Sequence, residues 1–250
     1  MDAEWRQALD CVATPLSVRI KAATSLLEGR IELQKHHLRS LLSTASEVLT
    51  EGVDEHISTW FWLLVYAWRS LDGCTSPRDD MAIVRLLKRV GPFVPLRAVA
   101  VALAWMLWKN ENCLYEALEA NENGREYIWE GIVRTFNEGT NLVPRDMEAL
   151  GNAMQHLLKR NSPLVYSNDF MVCIDIVVRE ATDMELDDPR RNAIAIVMEG
   201  AIESKLYEES GFYRLDALVS VIKQWYEAID NANDTQIAQI LKRLSRKLCN

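Results

Sequence analysis

YSNDFMVCIDIVVREATDMELDDPRRNAIAIVMEGAI, residues 166–202, contains the segment on which the fold class turns. Cys173 to Val178 (CIDIVV) has the β-branched content and alternation of a strand. Phe170, Ile174, Val177, Val178 and Ala181 also make a helical stripe, with a second apolar side. No partner strand is visible elsewhere in the sequence, so the segment reads as a buried helix. With it goes the main candidate for a sheet.

Moving outward, helical periodicity recurs. Ile83, Leu86, Leu87 and Val90 follow the i, i+3, i+4, i+7 template. Met147, Leu150, Met154, Leu157 and Leu158 repeat it, as do Leu215, Leu218, Val219 and Ile222, with Tyr226 extending the row. Ile237, Ile240, Leu241, Leu244 and Leu248 give a last stripe. Punctuation agrees. Thr14-Pro15 predicts an N-cap followed by proline at the first helical position, with the helix running to Leu27 before Gly29. Ser76-Pro77 predicts the same ahead of the Ile83 stripe, and Gly91-Pro92 ends it. Ser162-Pro163 and Asp188-Pro189 mark two more boundaries.

Trp60, Phe61, Trp62, Tyr66 and Trp68 cover nearly a whole helix circumference, and so does the block Val99 to Trp108. Such helices are buried on several sides, like the inner layer of an armadillo-like stack, with the striped helices outside. The sequence therefore predicts an all-α, armadillo/HEAT-like helical stack (an α-solenoid) of about a dozen helices. No linker or low-complexity segment divides the chain, so one domain over 1–250 is expected.

Composition supports helices: 10 glycines and 7 prolines in 250 residues are too few for the turns of an all-β protein. The net charge of −8 disfavours a general nucleic-acid binder, since phosphate backbones are repelled. Lys242, Arg243, Arg246 and Lys247 form a local basic cluster. It reads either as a macrodipole-complementing last turn or as a binding patch. Cys11, Cys74, Cys113, Cys173 and Cys249 are scattered and odd in number, which fits reduced thiols better than disulfides or a zinc site. The N-terminus lacks a signal-peptide core, and the longest apolar run, Ala98 to Trp108, is shorter than the roughly 20 residues a span needs. An intracellular protein without a membrane span is expected.

Catalytic motifs are missing. His36, His37, His56 and His156 sit in no metal-binding or nucleophile motif, and no phosphate-binding glycine loop is present. Asp79-Asp80 and Asp187-Asp188 read as helix-start carboxylates, not as the paired ligands of an all-α metal site. No enzyme, cofactor or metal is expected. The eight tryptophans read mainly as core, with one or two rings available to a partner groove.

The 166–202 stretch also carries a resemblance. Tyr166, Asn168-Asp169, the apolar helix Val172 to Arg179, Thr182-Asp183, the acidic Asp187-Asp188 and Arg190-Arg191 match a pattern in their order. That pattern resembles the leucine-rich, armadillo-like domain of the Nck-interacting, Src-homology-3-containing adaptor family, which includes the yeast Dip-type proteins. Met184 and Ala193 stand where the family has leucine and an aromatic. In the matched stretch, Ser167, Asn168 or Asp169 is expected to cap the helix. Asp175 and Arg179 are spaced i, i+4 to pair, and Asp183 is placed to bond the loop or the arginines after it.

The resemblance implies a non-enzymatic activator of the seven-subunit actin-related-protein (Arp two/three) nucleation complex, and indirectly an actin partner. It implies seeding of linear, unbranched filaments without a pre-formed mother filament, in the cytoplasmic, cortical actin cytoskeleton. A generic armadillo/HEAT-type interaction scaffold is the alternative. Candidate partner-binding residues are Arg179, Asp183, Arg190 and Arg191 from the matched stretch, and Lys242, Arg243, Arg246 and Lys247 from the basic C-terminal helix.

Overall fold

The computed structural model describes residues 7–8, 11, 13–28, 35–51, 54–71, 77–108, 112–122, 125–185, 187–228 and 236–248. Among them are thirteen α-helices and no strand, so the all-α expectation holds. The chain forms two compact units, Met1–Ile132 and Val133–Asn250.

The first unit contains α1 (Leu16–Leu27), α2 (Lys35–Glu51), α3 (Asp54–Ser70), α4 (Pro77–Val90), α5 (Arg97–Trp108) and α6 (Asn112–Glu119). α7 (Ile128–Asn137) begins in it. α3 packs against α1, α2 and α5, while α4 packs against α2, α5 and α6. α5 is apolar on every side, and all ten residues Ala98 to Leu107 are buried. Burying one large apolar side chain of this kind contributes about 1.5–3 kcal/mol. The aromatic block of α3 is core as well: Trp60, Phe61 and Trp68 are buried, Trp62 and Tyr66 partly so. α4 buries Ile83, Leu86, Leu87 and Val90, the stripe its sequence announces.

The second unit holds α8 (Pro144–Lys159), α9 (Ser167–Asp183), α10 (Arg191–Glu203), the short α11 (Lys205–Glu209), α12 (Leu215–Ala228) and α13 (Gln236–Leu248). α10 is its hub, packed against α8, α9, α11 and α13. Its residues Ala193 to Ile202 are all buried. Two glycines let α8 and α10 approach: a Cβ on Gly151 would lie 3.0 Å from the Ala193 carbonyl oxygen, and one on Gly200 would lie 2.7 Å from Gln155 Cα.

The CIDIVV segment is helical. Phe170, Cys173, Ile174, Val177 and Ala181 point inward, while Val172 and Arg179 point out. Burial every three or four residues defeats the alternation that suggested a strand. Other boundaries shift. Pro15 occupies the N-cap position and α1 starts at Leu16; the Pro15 carbonyl accepts from the Val18 and Arg19 amides. Gly29 lies outside the described residues. α9 is preceded by Tyr166 at its N-cap, and no side chain caps it. On α12 the buried face is Leu218, Val221, Ile222 and Trp225, and Tyr226 is half-exposed. Trp225 takes the inward place because its indole Nε1–H donates to the Ala181 carbonyl at 3.1 Å and the Arg191 guanidinium stacks on its ring at 4.4 Å.

That indole bond belongs to a recurring device. The last four carbonyls of a helix lack partners within it. Here side chains from elsewhere in the same unit supply them. Tyr115 Oη donates to the Leu107 carbonyl, Asn121 Nδ2 to Leu87, Trp225 Nε1 to Ala181 and Lys247 Nζ to Ile202.

Candidate protein-binding surface

The matched stretch forms α9, the following loop and α10 of the second unit. The side chains that sequence grouped together divide into three settings.

Arg179 and Asp183 lie on the outer side of α9. The Arg179 side chain is half-exposed; its Nη2 is 2.8 Å from Glu180 Oε1 and also donates to Asn137 Oδ1. It does not take the i, i+4 partner expected of it. Asp175 is engaged instead by the turn before α12: Arg214 Nε lies 2.9 Å from Asp175 Oδ1, and Tyr213 Oη donates to Oδ2 at 3.1 Å. The hydrogen bond to Asp175 raises the Arg214 pKa further. Asp183 ends α9, exposed, and has no hydrogen bond to the loop or the arginines among the described residues. Glu180 and Asp188 take that role.

Arg190 and Arg191 are structural. Arg190 grips Asp188 with a two-pronged fork, Nε to Oδ1 at 3.1 Å and Nη2 to Oδ2 at 2.8 Å, and reaches Glu180 at 3.5 Å. Asp188 Oδ1 also accepts from the Arg190 amide at 2.8 Å, which sets the turn into α10. The Arg190 hydrogen bond lowers the Asp188 pKa against a smaller effect of burial. Arg191 is buried at the start of α10 over the Trp225 ring, and burial lowers its pKa.

The basic cluster on α13 also divides. Arg243 and Lys247 face α10. Arg243 Nε donates at 2.6 Å to Oε1 of Glu199, whose side chain is 5% exposed, and Lys247 reaches the Ile202 carbonyl at 3.2 Å. Glu199 also accepts from Gln155 Nε2 at 2.8 Å and pairs with Lys159 at 3.3 Å. Burial pushes the Glu199 carboxyl up, but the Arg243 hydrogen bond and the Lys159 charge outweigh it, and the net pKa lies below the ordinary value. A buried charge is tolerable only when paired in this way. Lys242 and Arg246, four residues apart, are exposed. Arg243 and Lys247 thus tie α13 to α10, while Lys242 and Arg246 face solvent.

An open groove of about 400 Å³ runs along α9, lined by Val172, Asp175, Ile176, Val178, Arg179 and Arg214. Val172 is 53% exposed there. The turn that supplies Arg214 is strained. Phe212 and Arg214 both adopt left-handed backbone with φ of 59°, next to Gly211 at 67°. Each non-glycine residue in that region costs about 1–2 kcal/mol, and such strain concentrates at binding sites. Phe212 is half-exposed and meets Tyr207 edge to face at 5.5 Å.

Two of these features escape sequence reasoning. Glu199 has a readable signal: it is the lone charge in the apolar run Ala193 to Ile202, so it must be buried and paired. The return of Tyr213 and Arg214 onto Asp175 has none, because Ser210-Gly211 announces a turn but not its direction.

No group of three or more His, Cys, Asp and Glu side chains placed to hold a metal exists among the described residues. No described helix is long and apolar enough to cross a membrane. No known protein-family model matches the chain, and no curated protein matches it significantly.

Proposed function

We propose that this chain is a non-enzymatic binding protein that activates the actin-related-protein (Arp two/three) nucleation complex and seeds linear actin filaments without a mother filament. The reading rests on the resemblance of residues 166–202 to the armadillo-like domain of the Nck-interacting adaptor and Dip-type family. One observation carries it at the level of a surface. The matched stretch supplies a partly apolar groove on α9 with a half-exposed arginine, Arg179, at its edge. Val172 offers apolar area, and Arg179 and Arg214 offer planar donors for carboxylates or carbonyls.

To activate, the protein must bind the filament-like arrangement of the two actin-related subunits more tightly than the splayed one, because equal affinity shifts nothing. A close-packed helical unit suits this, since it can dock without deforming. The activity places the protein in the cytoplasm at cortical actin.

The test is actin assembly followed by pyrene fluorescence, with the purified chain, the nucleation complex and actin. Faster assembly and unbranched filaments under the microscope are expected. Arg179→Glu and Val172→Asp are expected to weaken the acceleration by about tenfold, the scale of losing a well-placed charge or anchor. On α13, Lys242→Glu with Arg246→Glu tests the solvent-facing half of the cluster without touching the Arg243–Glu199 pair. No acceleration and no binding to the complex would refute the proposal. A pull-down that recovers other partners but none of the seven subunits would favour the scaffold reading.

A further inference from the structure

A second groove lies in the first unit, far along the sequence from the matched stretch. α2 and α4 pack side by side, and an open cavity of about 490 Å³ runs along them. Its apolar part is Leu42, Ala82 and Met81, and Met81 is 58% exposed. Methionine is flexible and polarisable, well suited to receiving a partner's side chain.

Two arginines at this groove, Arg85 and Arg89, have no carboxylate partner among the described residues. Arg39 and Arg85 line it, and Arg89 stands one turn beyond Arg85 on α4. Arg89 Nη1 donates to Ser46 Oγ at 3.2 Å, to the Ser46 carbonyl at 3.3 Å and to Thr50 Oγ1 at 3.0 Å, all neutral acceptors. Arg85 is exposed, with no carboxylate partner among the described residues. The one carboxylate among the described lining residues is Glu47, and it is already neutralised from behind. The buried Arg19 donates to Glu47 Oε2 at 2.6 Å, while its other nitrogens are fixed by Thr44 Oγ1 and the Thr14 carbonyl, both at 3.0 Å. A protein of net charge −8 therefore presents here two guanidinium groups, Arg85 and Arg89, without a carboxylate partner among the described residues, beside the exposed Met81.

We infer that the α2–α4 groove docks an acidic segment of a partner protein, its carboxylates on Arg85 and Arg89 and one apolar side chain on Met81, Ala82 and Leu42. Charge complementarity selects this occupant. A second copy of this acidic chain would meet repulsion over most of its surface. A plain anion would leave the apolar part of the groove unused.

The probe is a fluorescein-labelled helical peptide of glutamate and leucine at i, i+3, i+4 spacing, about 15 residues long so that it holds a helix when docked. Fluorescence anisotropy with the full chain reads its binding. Saturable binding is expected, weakened several-fold when salt is raised from about 25 mM to about 500 mM, because the contacts are exposed ion pairs. Arg85→Glu with Arg89→Glu is expected to weaken it at least about tenfold, and Met81→Asp comparably. Arg85→Gln alone gives a milder loss and serves if the double reversal disturbs folding, which circular dichroism checks. The matched lysine–leucine peptide is expected not to bind.

Failure to bind up to about 1 mM peptide at low salt, where even a weak site would be occupied, overturns the inference. So does undiminished binding by the arginine variants, or equal binding of the lysine peptide. Binding to anionic phosphatidylserine vesicles without binding to the glutamate–leucine peptide overturns it too, by assigning the groove to a membrane surface. The actin assay and its α9 variants read a different surface, so either proposal can fail alone.

Discussion

Replacing Gly200 by alanine should destabilise the protein, against the usual sign for a glycine inside a helix. In an ordinary helix interior the change gains about 1 kcal/mol, because alanine loses less backbone freedom on folding. At Gly200 the added Cβ would sit 2.7 Å from Gln155 Cα and 3.0 Å from its Cγ. The first of these atoms is backbone and cannot rotate away. Restoring ordinary contact requires α8 and α10 to part by roughly 0.7 Å, a gap that forfeits a quarter to a half of the dispersion energy of each separated contact. Overpacking of this kind costs about 2–3 kcal/mol. The shift also pulls on the Gln155 side chain, which donates to Glu199 at 2.8 Å and to the Ile196 carbonyl at 3.2 Å. The net expectation is a loss of about 1–2 kcal/mol after the propensity gain is subtracted. Urea unfolding followed by far-ultraviolet circular dichroism reads it as a lower midpoint with an unchanged slope. Gly151→Ala, which meets the Ala193 carbonyl oxygen at 3.0 Å, should act in the same direction. The double variant should lose less than the two singles together, since helices already parted have room for the second methyl. A Gly200→Ala protein as stable as the parent, or more stable, would refute the close-approach argument.

Three further outcomes follow from the same unit and the segment before α1. The Glu199 carboxyl is held below its ordinary pKa, so its contribution is fully present above the unfolded carboxyl range near about 4.3 and is lost as pH falls through the folded value; Glu199→Gln should flatten that acid limb in pH-dependent urea titrations. Trp225→Phe removes the indole donor to the Ala181 carbonyl and weakens the stacking with Arg191, and should cost about 1–3 kcal/mol by the same unfolding measurement. Burial pushes the Cys173 thiol up to about 12, whereas the Ala13 amide and the Thr14 side chain lower that of the exposed Cys11. Iodoacetamide at about pH 8 should therefore alkylate Cys11 before Cys173 and reach Cys173 only in urea, as read by peptide mass spectrometry.

The helices were legible because burial writes a period into sequence. Ile83 to Val90 and Met147 to Leu158 point inward as their spacing demands, and α5 is buried all round as its unbroken apolar run demands. The same rule resolves CIDIVV, whose inward residues recur at helical spacing. Periodicity names a face but not its neighbour, and that is where sequence reasoning stops. Leu215, Leu218, Val219 and Ile222 define a stripe that Tyr226 could extend as well as Trp225, and only the Ala181 carbonyl and Arg191 across the packing favour Trp225. The i, i+4 spacing of Asp175 and Arg179 permits a pair, yet a turn 38 residues later takes the carboxylate. Of the arginines picked out beforehand, Arg190 and Arg191 open α10 as structural residues, Arg243 ties α13 to α10, Arg246 faces solvent, and Arg179 lines the groove on α9. Arg85 and Arg89 drew no notice in the sequence. Whether an arginine lacks a carboxylate partner depends on where the carboxylates lie in space, and Glu47 is neutralised by an arginine 28 residues earlier.

The burial of α5 bears on how the chain is made. From Ala98 to Leu107 it presents no polar side chain, so as a newly synthesised segment it would adhere to any apolar surface in reach. Its principal cover, the aromatic helix α3, precedes it in the chain and so leaves the ribosome first, as do α1 and α2, which pack on α3. The order of synthesis thus delivers the cover before the segment that needs covering. Reversing that order, by a circular permutation that places α5 ahead of α3, would leave the same helix exposed while its cover was still being translated.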